Sequence, residues 1–284
     1  MTPIRFLAAV LIVMTLPFVI SSCGTASESS GIIGKIWNAD IACAPVAVVV
    51  KLEGKISTSW IEDIRKAAST RSCKAVVLHI ESGGGTVTDT KLLAHKIQKV
   101  KEEYDIEIYT YSERILASGA YWLAATTDHI TISPAAITGS IGVYLQRIDM
   151  TKLDSMWGIQ WHYIQSGKCK TYGNPHKKLT KEEEKFWQNY IIRLYNEFLQ
   201  TIWDNRKAEL HTAYSGIIQI PEPLIDSTKV KQYLMQISDG RIYDAELAHV
   251  LGLVDKVFYL DEYVEYLKSR KFKVVDLDGL KFKP

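Results

Sequence analysis

Ile115-Leu116-Ala117-Ser118-Gly119-Ala120-Tyr121-Trp122-Leu123-Ala124 follows a strand-like run, Ile106 to Tyr111, and opens an apolar helix-like run from Tyr121 to Ala125. Ser118 therefore stands where a loop enters a helix. There the first-turn N–H groups have no partner within the helix, and the helix dipole favours negative charge. Both features suit a nucleophile whose attack creates an oxyanion. They equally suit a plain N-cap, a common place for serine.

The pattern alternates on either side of that stretch. Val46 to Leu52 reads as a buried strand, Ser59 to Ala68 as a helix and Lys74 to Ile80 as a second strand. Thr88 to Tyr104 reads as a helix with Leu92, Leu93, Ile97 and Val100 on one face. After Ser118, strands are expected at His129 to Ser133, Ile141 to Leu145 and Trp161 to Gln165. Thr180-Lys181-Glu182-Glu183 has capping-box spacing and opens a long helix reaching about Arg206. Its Trp187, Ile191, Leu194, Phe198 and Ile202 repeat at helical spacing, which predicts core or subunit packing. Asp244 to Leu251 is a further helix and Val254 to Tyr259 a last strand. Short strands joined by crossover helices predict an α/β fold.

Composition bounds the function. The chain has 284 residues, 47% hydrophobic and 23% charged, enough for a core that needs no staples. A net charge of +2 without a dense basic stripe argues against nucleic-acid binding. Arg5 followed by the apolar run Phe6 to Ile20 reads as a targeting segment, too short for an ordinary membrane span. Ile20-Ser21-Ser22-Cys23 then resembles a bacterial lipobox, which implies cleavage before Cys23 and a lipid on its thiol. That division gives a signal peptide over 1–22, a lipidated Cys23 and flexible tether over 23–44, a catalytic domain over 45–268 and a basic, solvated tail over 269–284. The localisation expected is extracytoplasmic, on a bacterial membrane. Cys23, Cys43, Cys73 and Cys169 are the cysteines; a Cys43–Cys73 disulfide is possible outside the cytoplasm. No cysteine pair has zinc-ligand spacing and the histidines are scattered, so neither metal nor cofactor is expected.

Two further stretches carry chemistry. Glu81-Ser82-Gly83-Gly84-Gly85-Thr86-Val87 lies between a strand and a helix, and its glycine amides can approach an oxyanion closely. It has neither the Gly-Lys-Ser/Thr of a P-loop nor the spacing of a dinucleotide fingerprint. Ser166-Gly167-Lys168-Cys169-Lys170 offers lysines, and a neutral lysine can serve a serine nucleophile as base.

Together these stretches resemble the signal peptide peptidase A family of serine–lysine proteases, from about Val46 to Val257. Ser82 to Val87 is similar to the family's Ser-Pro-Gly-Gly-Ser-Val, and Ala117 to Trp122 to its Ala-Ser-Gly-Gly-Tyr-Tyr. Ile137-Thr138-Gly139-Ser140-Ile141-Gly142-Val143, Ser238 to Tyr243 and Leu251 to Asp255 follow in family order. The resemblance implies a Clp-protease/crotonase-like fold, a repeated β-β-α superhelix with a long helix after the lysine segment. It implies Ser118 as nucleophile and Lys170 as base, aimed by Ser140, with Gly84 or Gly85 and Gly119 forming the oxyanion hole. It also implies extended apolar peptides as substrates and a ring-like homo-oligomer whose active site is completed between subunits. Two positions depart from the pattern, Gly83 for Pro and Ala120 for Gly, and Lys207 to Gln236 looks like an insertion. Lys168 is a rival for the base, since a strand would put it on the same face as Lys170. A Clp-type Ser-His-Asp site is disfavoured, because its histidine would fall at Val143. A crotonase-like acyl-CoA enzyme would leave Ser118 and Lys170 without a purpose. An inactive lipid-anchored scaffold or chaperone is the remaining alternative.

Overall fold

The computed structural model describes residues 44–276. Cys23, Cys43 and the expected signal and tether segments lie outside the described residues.

The first strand, β1 (Val46–Glu53), pairs in parallel with β2 (Cys73–Glu81), and β2 with β3 (Glu107–Ser112). Their sequences are nearly continuous apolar runs because both faces of this parallel sheet are covered. Alternate residues serve opposite faces. Val46, Val48, Val50 and Leu52 enter one core, with helices α1 (Trp60–Ala68) and α2 (Val87–Tyr104), while Ala47 and Val49 enter the other. On α2, Leu93, Ile97 and Val100 are fully buried. Leu92 is half exposed, because one residue's rotation of about 100° carries it off that face.

After β3 come β4 (Ile115–Ala117), the short α3 (Gly119–Ala124), β5 (His129–Ile132) and β6 (Ile137–Gly139). The main sheet is completed by β8 (Lys256–Val257) and β9 (Lys273–Asp276), in the order β8-β5-β3-β2-β1-β9, all parallel. A second sheet holds β4, β6 and β7 (Ile242–Asp244), with β6–β7 antiparallel. The two sheets meet where β2 ends: Ser82 bridges Leu116, donating its N–H to the Ile115 carbonyl and accepting from the Ala117 N–H.

Several expectations are corrected. No strand forms at Ile141 to Leu145. Left-handed backbone at Gly139 (φ 99°) and Ser140 (φ 51°) turns the chain, and Tyr144 is 85% exposed. No strand forms at Trp161 to Gln165 either, where every residue is exposed and no neighbouring strand offers a ladder. Residues 143–180 instead form an arm carrying one short helix, α4 (Thr151–Met156). The arm is braced from within by His176 Nδ1 against Asp154 at 2.8 Å, by the Trp161–His176 stack and by the Arg147 guanidinium on the Asn174 and Lys177 carbonyls.

The long helix α5 (Lys181–Ile218) starts at Thr180, whose hydroxyl accepts the Glu183 N–H. Glu183 does not close the capping box; its carboxylate accepts from the Gly173 N–H of the arm. The helix runs beyond Arg206, where it kinks (φ −126°, ψ 22°), so the first part of the expected insertion is helix. The second part is α6 (Ser227–Ile237), packed on α5. Of the apolar stripe, Phe198 and Ile202 are buried, whereas Trp187, Ile191 and Leu194 are only half-buried. After α7 (Ala245–Val250), α8 (Leu260–Ser269) packs Tyr263, Val264 and Leu267 on the second core. The expected solvated tail is corrected in its first part. Lys273-Val274-Val275-Asp276 is β9, with Val274 and Val275 buried beside β1.

Candidate active site

Ser118 caps α3 with a backbone of φ 54°, ψ −123°, a left-handed conformation that costs a non-glycine residue about 1–3 kcal/mol. The fold enforces it. The Ser118 N–H donates to the Gly139 carbonyl at 2.9 Å and its carbonyl accepts the Trp122 N–H at 2.9 Å. Its hydroxyl does not cap the helix and has no hydrogen-bond partner among the described residues. Ser118 lines a cleft of about 590 Å³ together with the glycine loop, Lys55, Thr90, Trp122, Gly142 to Tyr144, Gln146 and Phe198.

The glycine loop is fitted against Ser118. A Cβ on Gly84 (φ 105°) would lie 2.8 Å from the Gly119 nitrogen and 3.0 Å from the Ser118 Cβ, so the close approach requires glycine. The Gly84 N–H donates to the Ser82 hydroxyl at 3.0 Å. Gly85 and Gly119 N–H have no acceptor among the described residues, and a Cβ on Gly119 would sit 3.2 Å from the Gly85 nitrogen. Two unpaired amides thus lie close together beside the serine, and backbone N–H groups so placed can serve an oxyanion.

Glu81 is a supporting residue that sequence reasoning passed over. Its buried carboxylate accepts N–H bonds from Glu113 (2.5 Å), Arg114 (3.1 Å) and Ile115 (3.2 Å), fastening the loop that enters β4. Burial pushes its pKa up, but His79 and these N–H groups outweigh burial and hold it below the usual carboxylate range. A buried acid ending a strand just before a glycine loop was the available signal. His79, Glu81 and Glu113 form the one grouping among the described residues whose ligand atoms lie within 4.8 Å of one another. His79 Nε2 is 3.4 Å from Glu81 and 3.3 Å from Glu113, and Glu81 is already committed to the loop amides, so the trio acts as a brace.

The lysines lie elsewhere. Lys168 pairs with Glu182 at 2.7 Å on the exposed arm, and that bond raises its pKa, opposing service as a base. Lys170 is exposed in a turn, its N–H on the Gly167 carbonyl, and its ammonium has no partner among the described residues. It does not line the Ser118 cleft. Ser140 follows the carbonyl that holds Ser118, and its own N–H donates to Arg241 at 2.7 Å. One chain therefore assembles Ser118, Gly84, Gly85 and Gly119, with Ser140 beside them, and leaves Lys170 apart. Cys73 is a buried free thiol whose pKa is pushed up to about 11 by burial, and Cys169 is exposed. No described helix is long and apolar enough to cross a membrane.

The chain is similar to known proteins in both sequence and fold. The chain is 28% identical over 225 residues to the "Putative signal peptide peptidase SppA" of Enterococcus faecium, covering 79% of this chain and 59% of that protein. It is 30% identical over 207 residues to a "Putative protease" of Methanocaldococcus jannaschii, covering 73% and 58%. It thus spans just under three fifths of the length of each of these relatives. A solved mutant of the 1510-N membrane-bound stomatin-specific protease shares the fold, with a TM-score of 0.50 at 13% identity, covering 84% of this chain and 92% of that one. The expected α/β class is therefore the observed one. Residues 101–215, which contain Ser118, Ser140 and Lys170, match the model of peptidase family S49.

Proposed function

We propose that the chain is a serine endopeptidase with Ser118 as nucleophile and Lys170 as base. The observation that carries this reading is the strained Ser118, its hydroxyl uncommitted, beside the unpaired Gly85 and Gly119 amides in an open cleft. In the reaction, Ser118 Oγ attacks the peptide carbonyl as neutral Lys170 takes its proton. The oxyanion is held by the Gly85 and Gly119 N–H groups, with Gly84 shaping the loop. The lysine then protonates the departing amine, and water hydrolyses the ester. Ser140 aims the lysine. Extended apolar peptides, remnant signal peptides among them, are the substrate class.

Lys170 reaches Ser118 from a second copy of the chain. Two features support this: Lys170 is absent from the cleft of its own chain, and its arm exposes Met156 (81%), Trp157 (75%) and Ile164 (104%). Such apolar exposure is costly in water unless covered. A ring-like homo-oligomer, tethered outside the cytoplasm through lipidated Cys23, completes the reading. The test is hydrolysis of an apolar peptide library read by mass spectrometry, with Ser118→Ala beside the wild type. Cleavage by the wild type, together with fluorophosphonate labelling that Ser118→Ala abolishes, is expected. Unlabelled, inactive protein would favour the scaffold.

A further inference from the structure

Lys55 stands out among the residues lining the Ser118 cleft, because it is the one charged side chain there. Its place is set by the backbone. Gly54, at φ 82°, turns the chain out of β1 and donates its N–H to the Glu81 carbonyl at 3.0 Å. The Ile56 N–H donates to the Gly84 carbonyl at 3.2 Å, and a Cβ on Gly85 would meet the Ile56 Cβ at 2.9 Å. Lys55 is therefore held between two residues locked onto the glycine loop, at the rim of the candidate catalytic centre.

No described residue neutralises it. Among the described residues Lys55 has no carboxylate partner. Asp89, the acid in the first turn of α2, is engaged by the Thr86 hydroxyl and does not line the cleft. The other lining groups are glycines, threonines, apolar and aromatic side chains, Gln146 and Ser118 itself. With the unpaired Gly85 and Gly119 amides, the cleft presents donors and positive charge with no acidic counterpart. A clear field of one sign favours ligand groups of the opposite sign.

We propose that Lys55 selects peptides carrying a carboxylate next to the scissile bond. The proposal rests on the peptidase reading and narrows it. The cleft takes an apolar chain with one acidic group and turns away chains with lysine or arginine at the same place. The carboxylate can belong to a Glu or Asp side chain or to a free C-terminus, and either would pair with the ammonium at the rim. Lys55 is here a specificity residue, with no part in bond making.

The test uses the full chain and one apolar peptide made with Glu, Gln or Lys at each position flanking the scissile bond, each with a free or amidated C-terminus. Cleavage rates with wild-type protein, compared as kcat/KM, test the charge preference. Binding to the Ser118→Ala protein, measured by fluorescence anisotropy, tests it independently of turnover. An exposed pair of this kind is worth about fivefold. Glu over Gln is expected to favour binding by about that factor in low salt, with Lys the weakest. Lys55→Gln should erase the preference and Lys55→Glu invert it. A preference that follows the free C-terminus identifies the terminal carboxylate as the partner; one that follows Glu identifies the side chain. Equal binding of Glu, Gln and Lys peptides, or a preference that survives Lys55→Gln, overturns the proposal. Failure of wild-type protein to cleave any peptide overturns the peptidase reading, while the binding series still decides the role of Lys55.

Discussion

Gly119 lies so close to Thr90 that a Cβ on the glycine would meet the Thr90 Oγ1 at 2.6 Å. The Thr90 hydroxyl cannot swing away cheaply, because it donates to the Thr86 carbonyl at 2.9 Å and the residue is fully buried. Gly119→Ala should push α3 away from α2 and displace the Gly119 amide from its place beside Gly85. Loss of one oxyanion donor costs about 100- to 1000-fold in kcat. Peptide hydrolysis should fall into that range, and Gly119→Ala/Thr90→Ala should recover part of it. Wild-type rates for Gly119→Ala would remove this amide from the mechanism.

The two lysines of the arm separate by substitution. Lys170→Ala should abolish hydrolysis, whereas Lys168→Ala should cost less than tenfold, since Lys168 is paired with Glu182 and its pKa is raised. Ser118→Ala and Lys170→Ala proteins, unfolded together and co-refolded, should regain activity in mixed assemblies, because each supplies what the other lacks. Mixed oligomers that form without recovering activity would place the dyad within one chain.

Glu81→Gln keeps the shape of the side chain but turns an NH2 group toward the Glu113, Arg114 and Ile115 amides. Leaving buried donors unpaired costs about 1–3 kcal/mol, and a lowered denaturant midpoint should show a loss of that size. The same loop enters β4 and Ser118, so the rate of fluorophosphonate labelling should fall with it. An unchanged midpoint would mean that the loop amides find other acceptors.

Much of this architecture is legible in residue pattern. The parallel strands read clearly because burial on both faces leaves only apolar side chains, as in Ala-Val-Val-Val at 47–50. The closeness of the glycine loop to Ser118 was foreshadowed by Gly83-Gly84-Gly85, since only glycine permits the approach that Gly84 makes to Ser118 and Gly119. The arm was not legible in this way. Trp161 to Gln165 has the alternation of a strand, but alternation reports a buried face and not the chain that buries it. The absence of Lys170 from the cleft of its own chain is in keeping with the expectation, drawn from the resemblance, of a site completed between subunits. The β9 strand was hidden by its lysines, since Lys273 and the residues before it resemble a solvated end until Val274 and Val275 are seen against the sheet.

Arg206 and Asp255 join the kink of α5 to the turn after α7. The guanidinium lies 2.7 Å from Asp255 Oδ1 and also donates to the Gly252 carbonyl, while Asp255 Oδ2 accepts the Ile130 N–H at 2.6 Å. Burial pushes the Asp255 pKa up, and Arg206 with the Ile130 N–H more than reverses this, leaving it below the usual carboxylate range. A depressed folded pKa contributes stability above the unfolded value, near 4, and that stability is lost as pH falls through the folded value. Asp255→Asn should therefore cost about 3–5 kcal/mol at neutral pH and flatten the acid limb of the stability curve. Equal slopes for mutant and wild type below pH 4 would assign the acid limb to other carboxylates.

The partnership of β1 with β9 has a consequence for how the chain reaches its fold. Val46 lies opposite Lys273, so the first described strand is flanked on one side by the last. A polypeptide made from its N-terminus exposes that edge of β1 throughout synthesis of the domain, until residues 273–276 arrive. An open apolar edge invites pairing with other chains. Closure of the sheet is thus a late event that spans nearly the whole domain, and contacts of such long range slow folding. Shortening the chain to end at 268 would leave that edge bare for good, and the resulting protein should be prone to aggregate even though every candidate site residue is still present.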